Sequence, residues 1–300
     1  MLAFLNGEYV PANEAILPVT DWGFVQGVTV AEQLRTFGGK VFRLEEHLQR
    51  LRRSLSYMGC CDAPYTADLE VIIPRVVEHN YALLDDLADD LGVTVFVTPG
   101  TYPTYLGEGE VNQMTVCVHT YELPFHRWGD AYDVGKPLAS VKIRQVPDNC
   151  WPHDLKGRSR MHYHLASLEA TQASPGATAL LLDQDGYVCE TPTANVIAVM
   201  GGQLVSPELE KILPGISLGY VWELADAVGL PKSRRPLIVA ELAAAEEVML
   251  ASTPFCLLPV SSIDGRPLTT PGPTYIKMLD YWSRQVSLDI AGQARRRVKS

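Results

Sequence analysis

Lys156 stands in Asp154-Leu155-Lys156-Gly157-Arg158, between a strand-like run carrying Val141, Ile143 and Val146 and a stretch in which Met161, Leu165, Leu168 and Gln172 recur at helical spacing. A lysine at such a junction can be an ordinary solvated cation. It can also be a nucleophile and a base, because a desolvated amine with a lowered pKa condenses with a carbonyl and can take and return a proton. The rest of the chain decides between the two.

Four other places supply matching chemistry. Glu190 closes the strand-like Val188-Cys189 and precedes Thr191-Pro192-Thr193-Ala194-Asn195, so its carboxylate can face a ring or water. Leu213-Pro214-Gly215-Ile216-Ser217 opens a helix, whose first backbone N–H groups and dipole form an anion site. Ser252-Thr253 ends another strand and offers hydroxyls. Arg50 lies one position before the apolar Leu51 of a helix and can reach inward to grip a phosphate bidentately, while Arg52 and Arg53 are expected to face water. Singly, each has a bland structural reading. Together they match the needs of pyridoxal phosphate: an amine to hold it, an acid beside its ring nitrogen and donors for its phosphate. The expectation is that Lys156 carries this cofactor as a Schiff base.

The elements that must position these groups follow from periodicity. A strand pair surrounds Asn6-Gly7, a long strand runs from Val28 to Phe37, and Gly38-Gly39 turns into Val41-Phe42. Leu44, Leu48, Leu51, Leu55 and Met58 form one stripe of a helix that Gly59 stops. Residues 66–81 read as a second helix weakened by Pro74. Asp85-Asp86 and Asp89-Asp90 read as a solvated acidic loop. Val93, Val95, Val97 and Met114, Val116, Val118 alternate as two strands. Residues 121–137 have no period and are expected to hold the linker, giving domains over 1–121 and 137–300 with 122–136 between them. Further strands are expected at 177–183, 187–190, 195–200, 247–251 and 255–260. Helices follow Pro214-Gly215, lie around 240–246, and carry Tyr275, Met278, Leu279, Trp282 and Val286. Mixed strands and helices imply an α+β protein of two domains.

Bulk composition narrows the class. The chain has 300 residues and a net charge of −10, with 47% apolar and 20% charged residues. Without a sustained basic region, nucleic acid is disfavoured as a partner, and Arg295-Arg296-Arg297 reads as a solvated tail. No apolar run reaches the ~20 residues that span a bilayer, and the first residues, lacking a basic start and a long apolar core, are not expected to act as a signal peptide. Cysteines 60, 61, 117, 150, 189 and 256 include no CxxC pair, which suits a reducing, cytoplasmic setting.

The chain resembles the class IV, or fold type IV, pyridoxal-phosphate-dependent aminotransferases: branched-chain amino acid aminotransferases, D-amino acid aminotransferases and aminodeoxychorismate lyases. The resemblance rests on Asn6-Gly7-Glu8, Asp21-Trp22-Gly23-Phe24, Glu32-Gln33-Leu34-Arg35, the run Phe42 to Leu51, Asp154-Leu155-Lys156, Glu190 to Asn195, Leu213 to Ser217 and Ala251-Ser252-Thr253. It implies a small N-terminal α/β domain and a larger C-terminal α/β pseudo-barrel domain. It also implies a homodimer, and a transaminase that moves an amino group between an amino acid and a 2-oxo acid. Lys156 would be the catalytic residue. Glu190 would pair with the ring nitrogen, Leu213 would pack on the ring, and Arg50, the amides of Ile216 and Ser217, and Thr253 would hold the phosphate.

The departures fall on the substrate side. Gln26 replaces an aromatic residue of the family and Ala31 a bulky one. Pro99 stands where many relatives carry a carboxylate-binding Arg, and Met161 where branched-chain enzymes place a Tyr. Gln26, Arg35 and Arg158 are the candidate substrate residues, with Arg160 a further candidate donor. A branched-chain-like donor is favoured; a D-amino acid transaminase and a lyase of the aminodeoxychorismate lyase type are the alternatives. Gly215-Ile216-Ser217-Leu218-Gly219 matches G-x-S-x-G, but no histidine follows His164 to complete a hydrolase triad. His153, His162 and His164 cluster, yet on a helix 162 and 164 point roughly 200° apart, so no metal is expected.

Overall fold

The computed structural model describes residues 1–298. Its contacts divide the described residues into two compact units, 1–123 with 155–159, and 124–154 with 160–298.

The first unit is built on an antiparallel sheet in the order β2-β1-β6-β5-β3-β4. Its strands are β1 (Leu2–Leu5), β2 (Glu8–Pro11), β3 (Val30–Phe37), β4 (Lys40–Val41), β5 (Leu91–Thr98) and β6 (Thr115–Glu122). Asn6 and Gly7 both take positive φ, 50° and 100°, which a two-residue hairpin of this twist requires. The short α1 (Trp22–Val25) is capped by Asp21, whose other oxygen accepts from Thr98 and Thr115 at 2.8 Å each. The helices α2 (Leu44–Met58) and α3 (Leu69–Tyr81) cover one face of the sheet. Leu48, Leu51 and Leu55 of α2 pack with Val30, Leu34, Val93, Val95 and Val97, as the stripe predicts. Pro74 lies inside α3 without ending it; burial of Leu69, Ile72, Ile73, Val76 and Val77 outweighs one lost backbone bond. The other face carries polar groups: Tyr121 donates to Gln33, which donates to Thr94. Gly92 lies under Tyr121, and a Cβ there would stand 2.2 Å from the ring.

The acidic run at 85–90 departs from expectation at its end. Asp90 is fully buried, accepts from Thr36 Oγ1 at 2.6 Å and lies 3.9 Å from Arg35. Asp85 and Asp86 are exposed as expected.

Leu155–Ser159 belongs to the first unit although its neighbours in sequence do not. The N–H of Ala31 donates to Lys156 O at 3.0 Å and that of Arg158 to Thr29 O at 2.8 Å, so the segment runs along the start of β3. Leu155 packs on the first core. These backbone bonds, not visible in the side-chain pattern, separate the segment from the 137–300 domain expected from sequence.

The second unit carries a mixed sheet in the order β11-β10-β9-β12-β13-β7-β8, with β14 beside β13. Its strands are β7 (Lys136–Arg144), β8 (Thr178–Leu182), β9 (Asn195–Met200), β10 (Gln203–Ser206), β11 (Lys232–Arg234), β12 (Glu247–Ser252), β13 (Cys256–Ile263) and β14 (Arg266–Pro267). Between and after them lie α4 (Ala131–Val134), α5 (Met161–Ala173), α6 (Ile216–Ala227), α7 (Val239–Leu242), α8 (Pro273–Gln285) and α9 (Ile290–Arg296). The helix α5 is where expected but faces the other way. Met161, Leu165 and Leu168 are 69%, 43% and 47% exposed, and Ala166 and Ala170 are buried against Ala139, Val141, Ala179 and Leu181. Small side chains let the helix lie close to β7 and β8, so contact distance rather than residue size selects the buried face. The unperiodic stretch at 122–136 is packed, with Phe125, Trp128, Ala131 and Tyr132 buried. The buried Glu247 accepts from the N–H groups of Thr274 and Tyr275 at 2.8 Å and so holds the start of α8. The helix α9 lies beyond the elements expected from sequence; within it Arg295, assigned to a solvated tail, pairs with Asp133 at 2.9 Å. Among the described residues no helix is long and apolar enough to cross a membrane.

Candidate active site

Glu190 follows β8 and pairs its backbone with Asn195, so the intervening loop turns tightly and directs the side chain inward. Glu190 is 5% exposed. Oε1 accepts from Tyr163 Oη at 2.7 Å and Gln145 Nε2 at 2.8 Å. Oε2 accepts from Asn195 Nδ2 at 3.1 Å and Leu213 N at 3.3 Å. A buried carboxylate needs such donors, and here they come from β7's end, α5, β9 and the loop before α6. Burial, and next the charge of Glu190, push the Tyr163 phenol well above its ordinary value, so it stays protonated and donates.

Asn195 ties this acid to the candidate anion site. Its Nδ2 also donates to Leu213 O at 2.9 Å. Gly215 must be glycine, since a Cβ there would stand 2.1 Å from Asn195 Oδ1. Gly215 is the N-cap of α6 and supplies no side-chain cap, which leaves the first-turn N–H groups around Ile216 and Ser217 to other acceptors. Ser252 Oγ donates to Thr193 O at 2.6 Å, joining the end of β12, next to half-buried Thr253, to the Glu190–Asn195 loop. The second unit therefore brings Leu213 and the start of α6 at Ile216 and Ser217 to Glu190, and ties Ser252, the residue before Thr253, to the same loop.

The first unit brings together Lys156 and Arg50. Lys156 N donates to the buried Ser54 Oγ at 3.1 Å, which fixes the segment against α2. One helical turn earlier Arg50 grips Glu32 of β3, Nε to Oε1 at 2.7 Å and Nη2 to Oε2 at 2.8 Å. The inward reach is as expected, but the bidentate grip falls on a carboxylate of the chain rather than on a phosphate. His47 Nδ1 lies 2.7 Å from Glu32 Oε2. Burial works against charge on Glu32, yet Arg50 and His47 overcome it and hold the carboxyl far below its usual range. Burial, with the charges of Arg50 and Lys156, lowers His47 despite that bond. Neutral His47 thus donates from Nδ1.

The substrate candidates scatter. Gln26 is exposed and donates to Tyr102 Oη at 3.1 Å. Arg35 is buried beside Asp90 with its guanidinium 4.1 Å over the Phe37 ring, which gives it a structural task at the far end of β3 from Ala31. Arg158 is exposed, and its charge reaches His119 and Tyr121 on the polar face of the first sheet. Arg160 lies 4.3 Å over the Tyr163 ring and donates to Pro192 O. His153 is held by Glu210 O and Val146 O, and His162 by Gln145. Sequence reasoning missed Gln145, Tyr163, Glu32 and His47 as parts of these groups. Only Glu32 and His47 had a signal, their place inside the motifs already singled out.

An Arabidopsis thaliana branched-chain-amino-acid aminotransferase-like protein is 30% identical over 270 residues, 89% of this chain, and the chain spans 47% of its length. A D-alanine aminotransferase of Bacillus licheniformis is 28% identical over 279 residues, covering 91% of this chain and 93% of that protein. The branched-chain amino acid aminotransferase of T.th., solved with pyridoxamine 5'-phosphate, superposes with a TM-score of 0.82 at 26% identity, over 99% of this chain and 96% of that one. Residues 29–263 match the family described as amino-transferase class IV, and the chain belongs to that family.

Proposed function

We propose that this chain is a pyridoxal-phosphate-dependent transaminase that carries an amino group from a branched-chain-like amino acid to a 2-oxo acid. The observation that carries this reading is Glu190, a buried carboxylate fixed by four hydrogen bonds beside the open start of α6. That donor set fits the cofactor: an acid for a cationic ring nitrogen, backbone N–H groups for a phosphate and an amine for an aldehyde. When bound, pyridoxal phosphate supplies an electron sink for the pair left as the donor loses its Cα proton. Lys156 would hold the cofactor through its amine and, once the donor's own amine has displaced it, would take the Cα proton and return it. Glu190 keeps the ring nitrogen protonated. The amides of Ile216 and Ser217, with Thr253 and Arg50, hold the phosphate, the last kept in place by Glu32. Leu213 packs on the ring. Gln26 and Arg158 are the groups left for the substrate, with Pro99 in place of the family's arginine.

A homodimer in the cytoplasm is the setting we assign. D-amino acids are the second reading for the donor, favoured by the likeness to a D-alanine aminotransferase.

The test is a panel of L- and D-amino acids added to the purified holoenzyme, read as conversion of bound pyridoxal phosphate to pyridoxamine phosphate. Conversion by L-valine, L-leucine or L-isoleucine is expected. Conversion by D-amino acids alone would transfer the reading to the second donor class, and product release without conversion would overturn transamination. Lys156→Ala should lower turnover by several orders of magnitude, and wild-type rates in that variant would end the mechanism.

A further inference from the structure

Gln145 and Tyr163 approach the same oxygen of Glu190 from residues 45 and 27 positions away. Their orientation can be derived. The backbone N–H of Val146 can only donate, and it points at Gln145 Oε1 from 3.2 Å. The amide nitrogen of Gln145 therefore faces the other way, toward Tyr163 Oη at 2.9 Å and Glu190 Oε1 at 2.8 Å. Since Tyr163 Oη accepts from Gln145, its own proton goes to Glu190. His162 Nε2 lies 3.1 Å from Gln145 Oε1, so it too must carry a proton. Burial, and next the charge of Arg160, push the His162 imidazole down to about 4, which leaves it a neutral Nε2–H donor at neutral pH. Arg160 covers the Tyr163 ring at 4.3 Å and bonds Pro192 O in the loop that carries Glu190. His162 donates to Gln145, Gln145 to Tyr163 and to Glu190 Oε1, and Tyr163 to Glu190 Oε1, so the donations run one way, toward the carboxylate.

From this directed array we infer that Tyr163 and Gln145 are positioning residues for Glu190, biasing the proton shared between that carboxylate and the cofactor's ring nitrogen toward the ring. The inference rests on the reading of Glu190 as the ring-nitrogen partner. The physical reason is general. A donor aimed at a carboxylate stabilises the anion more than the acid, so each donor makes the carboxylate a poorer proton acceptor. With two donors on Oε1, the proton stays on the nitrogen, where the ring is the stronger electron sink. Without them it drifts toward Glu190.

The experiment loads the enzyme with pyridoxal phosphate labelled with nitrogen-15 in the ring and reads the ring-nitrogen chemical shift. It compares wild type, Glu190→Gln, Tyr163→Phe and Gln145→Met. Cofactor affinity and the rate of Cα-proton abstraction, from a deuterated donor, are measured beside it. Tyr163→Phe is expected to move the shift part of the way from the protonated to the neutral pyridine value. It should slow proton abstraction roughly ten-fold, the scale of one hydrogen bond to a charged group, while cofactor affinity holds within about two-fold. Gln145→Met should do the same in smaller measure, and serves alone if Tyr163→Phe fails to fold. If Glu190→Gln moves the shift and the folded Tyr163 and Gln145 variants keep the wild-type value, the inference is overturned while the function stands. If Glu190→Gln itself leaves the shift unmoved, the reading of Glu190 fails and takes the inference with it.

Discussion

Glu32 and Glu190 are both buried carboxylates, one in each unit, and their surroundings differ in kind. Glu32 is gripped by the guanidinium of Arg50 and an imidazole N–H of His47. The hydrogen bonds found at Glu190 come from a phenol, two amides and a backbone N–H. The first arrangement brings an opposite charge to the carboxylate at 2.7 Å. The four donors of the second stabilise an anion while adding no formal charge of their own. A carboxylate of the first kind serves the scaffold, here by aiming an arginine. Neutral donors on the second fix the position of the carboxylate. Burial alone would not have told them apart; the donor types do.

The widest gap between the two should appear when one partner is removed. Arg50→Ala leaves Glu32 charged in the interior, and urea unfolding should show a loss of about 3–5 kcal/mol. A loss under about 1 kcal/mol would mean that water or another group takes over, and the contrast would fall. Tyr163→Phe leaves the carboxylate of Glu190 with its other donors. The expected loss is smaller, about 1–3 kcal/mol. Should Tyr163→Phe cost more stability than Arg50→Ala, the scaffold role would have to be assigned to the second unit's acid instead.

How much of this was legible beforehand depended on distance along the chain. The helix at 44–58 was legible to the residue because its stripe, its αL glycine at Gly59 and its length all agree. Lys156, Glu190 and the turn at 213–217 were legible as motifs because each is a short run of distinctive types. Gln145 and Tyr163 meet Glu190 only through the packing of β7, β8 and α5, so no local pattern marked them, whereas Asn195 lay inside the Glu190–Asn195 run. The face of α5 was misread because alanine against a sheet scores no higher than leucine against water. Asp90 could not be told from Asp86, since the difference is made by Thr36 and Arg35, more than fifty positions away.

Acid should weaken both regions, and by the same sign. His47, His119 and His162 all lie below the usual imidazole value in the folded chain, in each case mainly through burial. As pH falls below about 6.5, the unfolded chain binds protons that the folded chain does not, so stability drops. For His162 the loss is complete near its folded value of about 4. Glu32, lowered in the fold, adds a loss in the same direction once pH falls below the ordinary carboxyl value. The midpoint of thermal unfolding should therefore fall steadily from about pH 7 to pH 4, and His162→Gln should flatten part of that slope. A midpoint that rises over this range would contradict the removal of these imidazoles from water.

The smallest effect is expected two positions from the largest. Arg52 follows Arg50 on α2 but points outward, with its side chain 48% exposed, and pairs with Glu45 at 3.3 Å and Glu70 at 2.9 Å. It reaches two carboxylates, with one bond to each. Water competes for every one of them, salt screens them, and two long side chains lose freedom to form each, so Arg52→Ala should cost no more than about 1 kcal/mol. Raising the salt concentration should shrink even that, while the Arg50→Ala loss should persist because the buried pair is shielded from ions. The ratio of the two losses, measured by the same urea titration in low and high salt, isolates burial as the variable. Equal losses would show that the number of contacts, rather than their removal from water, sets the strength of the Glu32 pair.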